Sequence, residues 1–307
     1  MKQRQPRERS VVQRVANRGR ERQLSRNDAY TAYAMDRLLC RLGKSSQRHE
    51  FFLKGGVLVA HFARALHRFT RDIDFLRRHG PPDPSDIRQR FREVVAVRLD
   101  DGIEFDTAGV RVVTADHDMD GYDGVKVFIR AQVAGHAIDL RVDIGFGDAV
   151  EPPAARVELA PFLTDDEPAE LLAYPPEPVL AEKIETLVSK FPAIEHRLKD
   201  ILDVLVLSTS LDFDGDQLAG SLRHTLKRRG TQPDIAVLTE LRATLTGRRW
   251  KVAWATMLRE KAVIAPPSLE HATGQFEQFV RPLLVAVEGG PSPGQWAAPG
   301  PTWTKTA

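Results

Sequence analysis

The sequence predicts an α/β domain with a mixed sheet, followed by a helical bundle domain. Three observations carry this. Between Phe51 and about Leu163, short alternating strands are interleaved with helical runs. Beyond that stretch nearly every segment has helical periodicity. Between the two regimes lies Tyr174-Pro175-Pro176-Glu177-Pro178, the clearest boundary in the chain. The 307 residues are 42% hydrophobic and 28% charged, which excludes fibrous and disordered classes and leaves apolar material for a sizeable core.

The elements follow in order. Residues 1–26 are Arg-rich and weakly periodic, and read as a basic flexible arm or a loose helix. Asn27 or Asp28 caps a helix to about Leu42, with Tyr33, Leu38, Leu39 and Leu42 near one face and Gly43 ending it. Phe51-Phe52-Leu53 is a short strand, Lys54-Gly55-Gly56 a turn, Val57 to His67 a helical run, and Asp72 to Leu76 a second strand. Pro84 opens a helix to Arg98. Strand-like segments lie near 103–114, 123–134, 136–146 and 156–163. Helices are expected at 178–191, 194–209, 214–228, 232–245, 248–262 and 268–287. The last twenty residues hold eight Gly or Pro and read as a disordered tail. The expected layout is an arm (1–26), an α/β domain (27–176), a helical domain (177–288) and the tail (289–307).

The formal charge of +2 hides an uneven spread. Residues 1–50 carry 13 Lys/Arg against five Asp/Glu, whereas residues 51–176 carry 15 against 22. A basic region beside an acidic one fits a polyanion bound near a site that holds cations. The single cysteine, Cys40, excludes an internal disulfide framework and a multi-cysteine zinc site. No apolar run approaches the roughly 18–20 residues that span a bilayer, and the N-terminus lacks the apolar stretch of a secretory signal. A cytoplasmic monomer with no membrane contact is the expectation.

Two motifs fail on inspection. Asp116-His117-Asp118-Met119-Asp120-Gly121 begins like a calcium loop, but its twelfth position is Val127 rather than Glu, so a polar turn between strands fits better. Gly43-Lys44-Ser45 resembles the end of a P-loop whose first glycine would be Leu38. The nine histidines form no metal-ligand spacing.

The segment FFLKGGVLVAHFARALHRFTRDIDF carries chemistry. A short strand leads into two glycines and a helix, so backbone at Gly55 and Gly56 can approach a phosphate closely. Asp72 and Asp74 stand at i and i+2 on the next strand, on one face and about 6.5 Å apart. Two carboxylates there repel unless cations sit between them, and oxygen ligands favour Mg2+. Downstream, in Ile138-Asp139-Leu140-Arg141-Val142-Asp143-Ile144, the apolar residues face inward and Asp139, Arg141 and Asp143 share the other face. Three carboxylates on adjacent strands match two-metal phosphoryl transfer. On pattern alone, two solvated carboxylates on a half-exposed strand remain the alternative for Asp72 and Asp74.

This arrangement resembles the polymerase-β-like nucleotidyltransferase superfamily, and more narrowly the AbiEii/AbiGii toxins of type IV toxin–antitoxin pairs. RLGKSSQRHEFFLKGG at 41–56 resembles the family's lead-in, and RFTRDIDF at 68–75 its R-x-T-x-D-x-D. VLAEKIETLVSK at 179–190 resembles its lysine motif, and RLKDILDVLVL at 197–207 its R-x-K-D-h-x-D-h. The likeness covers roughly 30–210, in order. It implies a Mg2+-dependent transfer of nucleotide, CTP or UTP favoured, to tRNA 3′ ends, as mycobacterial toxins of this kind do, and a cognate antitoxin as partner.

By the resemblance, Asp72, Asp74 and Asp143 hold metal, with Asp143 preferred over Asp139 because VDIGFGD is similar to the family's strand end. Gly55, Gly56, Arg68, Thr70 and Lys183 would contact nucleotide, and Asp200 would complete the catalytic set with Asp72, Asp74 and Lys183. Thr70, at the family's Ser/Thr position, is also a self-modification or antitoxin-controlled site. Lys183 lies on the edge of the apolar stripe Leu180, Ile184, Leu187, Phe191, where an inward lysine needs an anion or snorkels outward. Asp200 is one turn from Arg197 and Asp203, so an intrahelical pair is open. Arg223, Lys227, Arg228, Arg229, Arg248 and Arg249 would grip RNA, or line solvated helix faces. The competing functions are a nucleotidyltransferase that modifies a protein or small molecule, and a catalytically silent RNA- or antitoxin-binding protein.

Overall fold

The fold is taken from a computed structural model, which describes residues 4–63, 69–114, 124–147, 150–261, 267–300 and 302–304. The chain forms two compact units. The first comprises Met1–Val57, Phe69–Gly147 and Ala155–Ala173, and the second Leu58–Arg68, Asp148–Ala154 and Tyr174–Ala307.

In the first unit, helices α1 (Arg4–Glu21) and α2 (Arg26–Lys44) precede β1 (Phe51–Lys54). Helix α3 (Gly56–Phe62) starts directly after Gly55 and belongs from Leu58 onward to the second unit, and the first unit resumes with β2 (Asp72–Arg77) and α4 (Pro84–Ala96). Strands β3 (Ile103–Phe105), β4 (Arg111–Thr114), β5 (Gly124–Val133), β6 (His136–Phe146), β7 (Ala155–Leu159) and β8 (Ala169–Ala173) complete it. They make one mixed sheet in the order β3-β5-β6-β2-β1-β8-β7, with β4 also on β5. Strand β2 runs parallel to β6 and antiparallel to β1, and β1 runs parallel to β8.

Alternation explains the register. Ile73 and Phe75 on β2, and Ile138, Leu140, Val142 and Ile144 on β6, are all buried. Phe51 packs against Phe75 and edge-on against Phe91 of α4, with ring centroids 5.8 and 5.4 Å apart. Because every second residue is committed to this core, the intervening positions of β2 and β6 must present the other face.

Helix α2 begins two to three residues earlier than expected, capped by Ser25, whose hydroxyl accepts from the Asp28 amide at 3.1 Å. It passes through Gly43 rather than ending there. A Cβ at Gly43 would press on the Glu170 carbonyl of β8, so this glycine permits close packing instead of terminating the helix.

The arm expected at the N-terminus is a docked helix. Val11 and Val15 of α1 are buried, and a Cβ at Gly19 would come within 2.5 Å of the Ala29 Cβ on α2. Arg14 of α1 pairs with Asp165, Arg18 donates to the Phe162 carbonyl at 3.2 Å, and Arg22, just past the end of the helix, lies over the Phe162 ring.

The second unit holds α5 (Pro176–Lys190), α6 (Leu198–Ser210), α7 (Gly215–Arg229), α8 (Ala236–Thr244), α9 (Arg248–Glu260) and α10 (Leu269–Val287). Helix α5 packs on α6 and α7, and α10 on α6, α7, α8 and α9. The described residues of the tail expected to be disordered, 289–300 and 302–304, are folded here. Strands β9 (Phe213–Asp214), β10 (Gln295–Trp296) and β11 (Trp303–Thr304) form a small sheet. Trp296 donates from Nε1 to the Ser208 carbonyl at 2.6 Å, and the Trp303 ring stacks on Phe279 at 5.3 Å. Two tryptophans with apolar and hydrogen-bonding partners outweigh the Gly/Pro content. No described helix is long and apolar enough to cross a membrane.

Candidate active site

The charged face of β2 and β6 is set by their parallel pairing. Asp74 stands opposite Asp143, and Asp72 opposite Arg141. The neighbouring strands extend the first of these rows: Lys54 of β1 is paired with Asp74, and Lys126 of β5 with Asp143. Paired residues point to the same side of a sheet. The row therefore reads Lys54, Asp74, Asp143, Lys126, two carboxylates between two lysines. Asp139, the rejected candidate on β6, pairs instead with Arg130 across β5 at 3.0 Å, and is exposed.

The Arg141 guanidinium bridges the site, with Nη2 2.9 Å from Asp72 Oδ2 and 3.3 Å from Asp143 Oδ2. Asp143 Oδ1 is buried and without a hydrogen-bond partner among the described residues. Burial raises the Asp143 pKa to about 6; Arg141 and Lys126 oppose the rise, and the charges of Asp74 and Asp72 add to it. Among the described residues, no three His, Cys, Asp or Glu side chains are drawn together as a metal-holding group. The register aligns Asp72, Asp74 and Asp143 on one face, and a guanidinium holds two of them. A buried carboxylate oxygen with nothing to accept from, among all-oxygen donors, fits a hard divalent cation.

Gly55 turns the chain into α3 with φ +69°, and a Cβ there would collide with the Asp74 carboxylate. The glycine of the turn is thus required by the carboxylate as well as by the backbone. Gly56 is the first residue of α3, which runs to Phe62, and most of the remaining helical run expected to His67 lies outside the described residues. Thr70 Oγ1 donates to the Asp72 carbonyl at 3.4 Å. Arg68 lies outside the described residues, as does the turn Asp116–Gly121.

In the second unit, Lys183 of α5 reaches across to α6. Its Nζ lies 3.1 Å from Asp200 Oδ1 and 2.5 Å from Asp203 Oδ2. Asp203 is fully buried, and Lys183 and Asp200 nearly so. Lys183 therefore does not snorkel, and Asp200 pairs between helices. Asp203 was not singled out from sequence, although it lies in the quoted 197–207 motif; its spacing of three from Asp200, on the same helix face, was the available signal.

The basic candidates separate. Arg229 is committed to Glu185 at 2.6 Å and Glu182 at 3.5 Å, and Thr231 also donates to Glu185. It braces α7 against α5 rather than presenting a free cation to solvent. Arg223 donates to the Ala286 carbonyl, and Arg249 lies over Trp250 and 3.8 Å from Glu195. Lys227, Arg228 and Arg248 are exposed.

The family model described as nucleotidyl transferase AbiEii toxin, type IV TA system, matches residues 37–279. Among solved structures the chain is similar to MenT4, a nucleotidyltransferase toxin of Mycobacterium tuberculosis H37Rv, at 16% identity and a TM-score of 0.54, covering 92% of this chain and 89% of that one. It is also similar to a protein of H. pylori assigned as a nucleotidyltransferase, at 15% identity and a TM-score of 0.48, covering 87% of this chain and 98% of that one. No curated protein sequence matches. At 16% identity the likeness to MenT4 speaks to the fold, and the family model, spanning most of the chain, speaks to the activity. The chain belongs to the AbiEii family of nucleotidyltransferase toxins of type IV toxin–antitoxin systems.

Proposed function

We propose that this toxin transfers a nucleoside monophosphate from an NTP, CTP or UTP favoured, to the 3′ end of tRNA in a Mg2+-dependent reaction, blocking translation. The observation that carries the reading is the alignment of Asp74 with Asp143, beside Asp72, across two paired strands. Those three carboxylates would hold the divalent cation. When bound, the cation lowers the pKa of the attacking hydroxyl and neutralises charge on the triphosphate.

The chain's own residues supply the rest. Gly55 and Gly56 would let backbone approach the phosphates, and Thr70 and, by the family resemblance, Arg68 would contact the nucleotide. Lys183, held by Asp200 and Asp203, is a preorganised cation for the nucleotide phosphates. Lys227, Arg228 and Arg248, with Arg223 and Arg249 beside them, would contact the RNA backbone without reading sequence. Arg229 is left out of that grip by its pairing with Glu185. The toxin would act as a cytoplasmic monomer until its cognate antitoxin neutralises it.

The test mixes purified protein, labelled NTPs, Mg2+ and total tRNA. Label on tRNA 3′ ends, strongest with CTP or UTP and lost in Asp72→Ala, is the expected result. Label on the protein or on a small molecule without RNA would favour the second enzyme reading. RNA binding without any label would favour the catalytically silent one.

A further inference from the structure

The Arg141 guanidinium occupies a telling position. It is the partner of Asp72 in the register of β2 against β6, and two residues along the same strand from Asp143. Its Nη2 is within ion-pair distance of both carboxylates, at 2.9 and 3.3 Å. The three side chains are between 30% and 43% exposed, so the group is neither locked in a core nor dissolved in bulk water. Asp143 keeps its other oxygen buried and unpartnered. A cation accepted by that oxygen and by Asp72 would have to share carboxylates with Arg141 or displace it.

We propose that Arg141 is a tethered competitor of the divalent cation: it neutralises Asp72 and Asp143 in the nucleotide-free toxin and releases them when nucleotide arrives. The inference rests on the reading that these carboxylates hold metal. The physical basis is charge accounting. Three carboxylates on one face repel strongly, and one guanidinium removes part of that repulsion. The same guanidinium raises the free energy of placing a second cation beside them. An NTP brings several negative charges, and a planar, five-donor guanidinium is well suited to accept a phosphate in place of the carboxylates. Metal and nucleotide binding would then be coupled, each favouring the other. The toxin would bind divalent ions weakly on its own and well with substrate.

The experiment measures Mn2+ binding to metal-stripped protein by the electron paramagnetic resonance of free Mn2+, without nucleotide and then with a non-hydrolysable CTP analogue. Wild type, Arg141→Gln, Arg141→Lys and Asp74→Asn are compared, and each is checked for folding by circular dichroism. Without nucleotide, Arg141→Gln is expected to bind Mn2+ about tenfold more tightly than wild type. Arg141→Lys, whose ammonium cannot fork between two carboxylates, is expected to fall between them and decides the matter if the glutamine variant does not fold. With the analogue present, the advantage of the glutamine variant should vanish. Thermal stability adds a second readout, since Mn2+ should raise the melting temperature of Arg141→Gln more than that of wild type. If Asp74→Asn abolishes Mn2+ binding while both Arg141 variants bind no more tightly than wild type, the role given to Arg141 is wrong and the metal assignment stands. If Asp74→Asn leaves Mn2+ binding unchanged, both are wrong.

Discussion

The backbone of Gly55 lies against the carboxylate of Asp74, so that a Cβ at position 55 would overlap the Asp74 side chain. Gly55 also has φ +69°, a left-handed conformation that costs other residues roughly 1–2 kcal/mol. The two constraints can be separated. Gly135, in the β5–β6 turn, has φ +84° and open space where a Cβ would go. Gly135→Ala should cost about 1 kcal/mol in chemical denaturation, and Gly55→Ala more, because its Cβ must also displace Asp74. Only Gly55→Ala should also reduce nucleotide transfer, by an order of magnitude or more, because it moves Asp74. Equal activity in the two variants would remove the carboxylate from the argument.

Asp143 gives a pH signature that is independent of substrate. Its folded pKa is raised to about 6, against the usual value near 3.9 for an unfolded chain. Between these values the folded protein holds the proton more tightly than the unfolded one, so the metal-free protein loses stability as pH rises through that window. Asp143→Asn has no such loss. Its stability relative to wild type should be level near pH 4 and grow to about 1–3 kcal/mol above pH 6, in urea titrations with a chelator present. A difference that does not change with pH would contradict the burial described for this carboxylate.

Lys183, Asp200 and Asp203 form a buried set with one cation and two anions. Removing the cation leaves uncompensated buried charge, so Lys183→Ala should lose about 3–5 kcal/mol in thermal or urea unfolding. The double variant Lys183→Met, Asp203→Leu should recover much of that stability while remaining unable to transfer nucleotide. Recovery of transfer along with stability would make the lysine a structural residue only.

The C-terminal segment contributes to the second unit. Trp296 is buried and hydrogen-bonded to Ser208, and its ring meets Phe279 edge-on at 4.7 Å. Trp296→Ala should cost about 3 kcal/mol, as for large aromatic truncations in cores. Ending the chain after Gly290 should cost at least as much, read as a fall in melting temperature. A truncated protein with unchanged stability would restore the view of this segment as an unstructured tail.

Much of this was legible in the sequence, for identifiable reasons. Period-2 alternation placed β5 and β6 within a residue or two, because one face of each strand must fill the core. Helices α5 to α10 followed from their 3.6-residue stripes. Asp72 and Asp74 were legible on one face because a strand aligns i and i+2, whereas choosing Asp143 over Asp139 took the family resemblance of VDIGFGD. Strand β8 was missed: Ala-Glu-Leu-Leu-Ala is short and sits beside the Pro-rich segment, and only its pairing with β1 and β7 makes it a strand. The docking of α1 was hidden because few apolar side chains, Val11 and Val15 among them, hold an otherwise Arg-rich helix. Lys54 and Lys126 could not be assigned to the carboxylate row, since that depends on the order and register of four strands. Arg141 was seen on the same face as Asp143, but its bridge to Asp72 needs the β2–β6 pairing.

In the proposed reaction Asp72, Asp74 and Asp143 form the metal-dependent transfer site. The most direct measurement is single-turnover incorporation of labelled CMP or UMP into tRNA by wild type, Asp72→Asn and Asp74→Asn, with Mg2+ and with chelator. Each substitution keeps the size of the side chain and removes one charge. Either variant, or the chelator, should lower incorporation by at least about a thousandfold while the melting temperature stays within a few degrees of wild type. Incorporation at the wild-type rate in either folded variant would contradict this role.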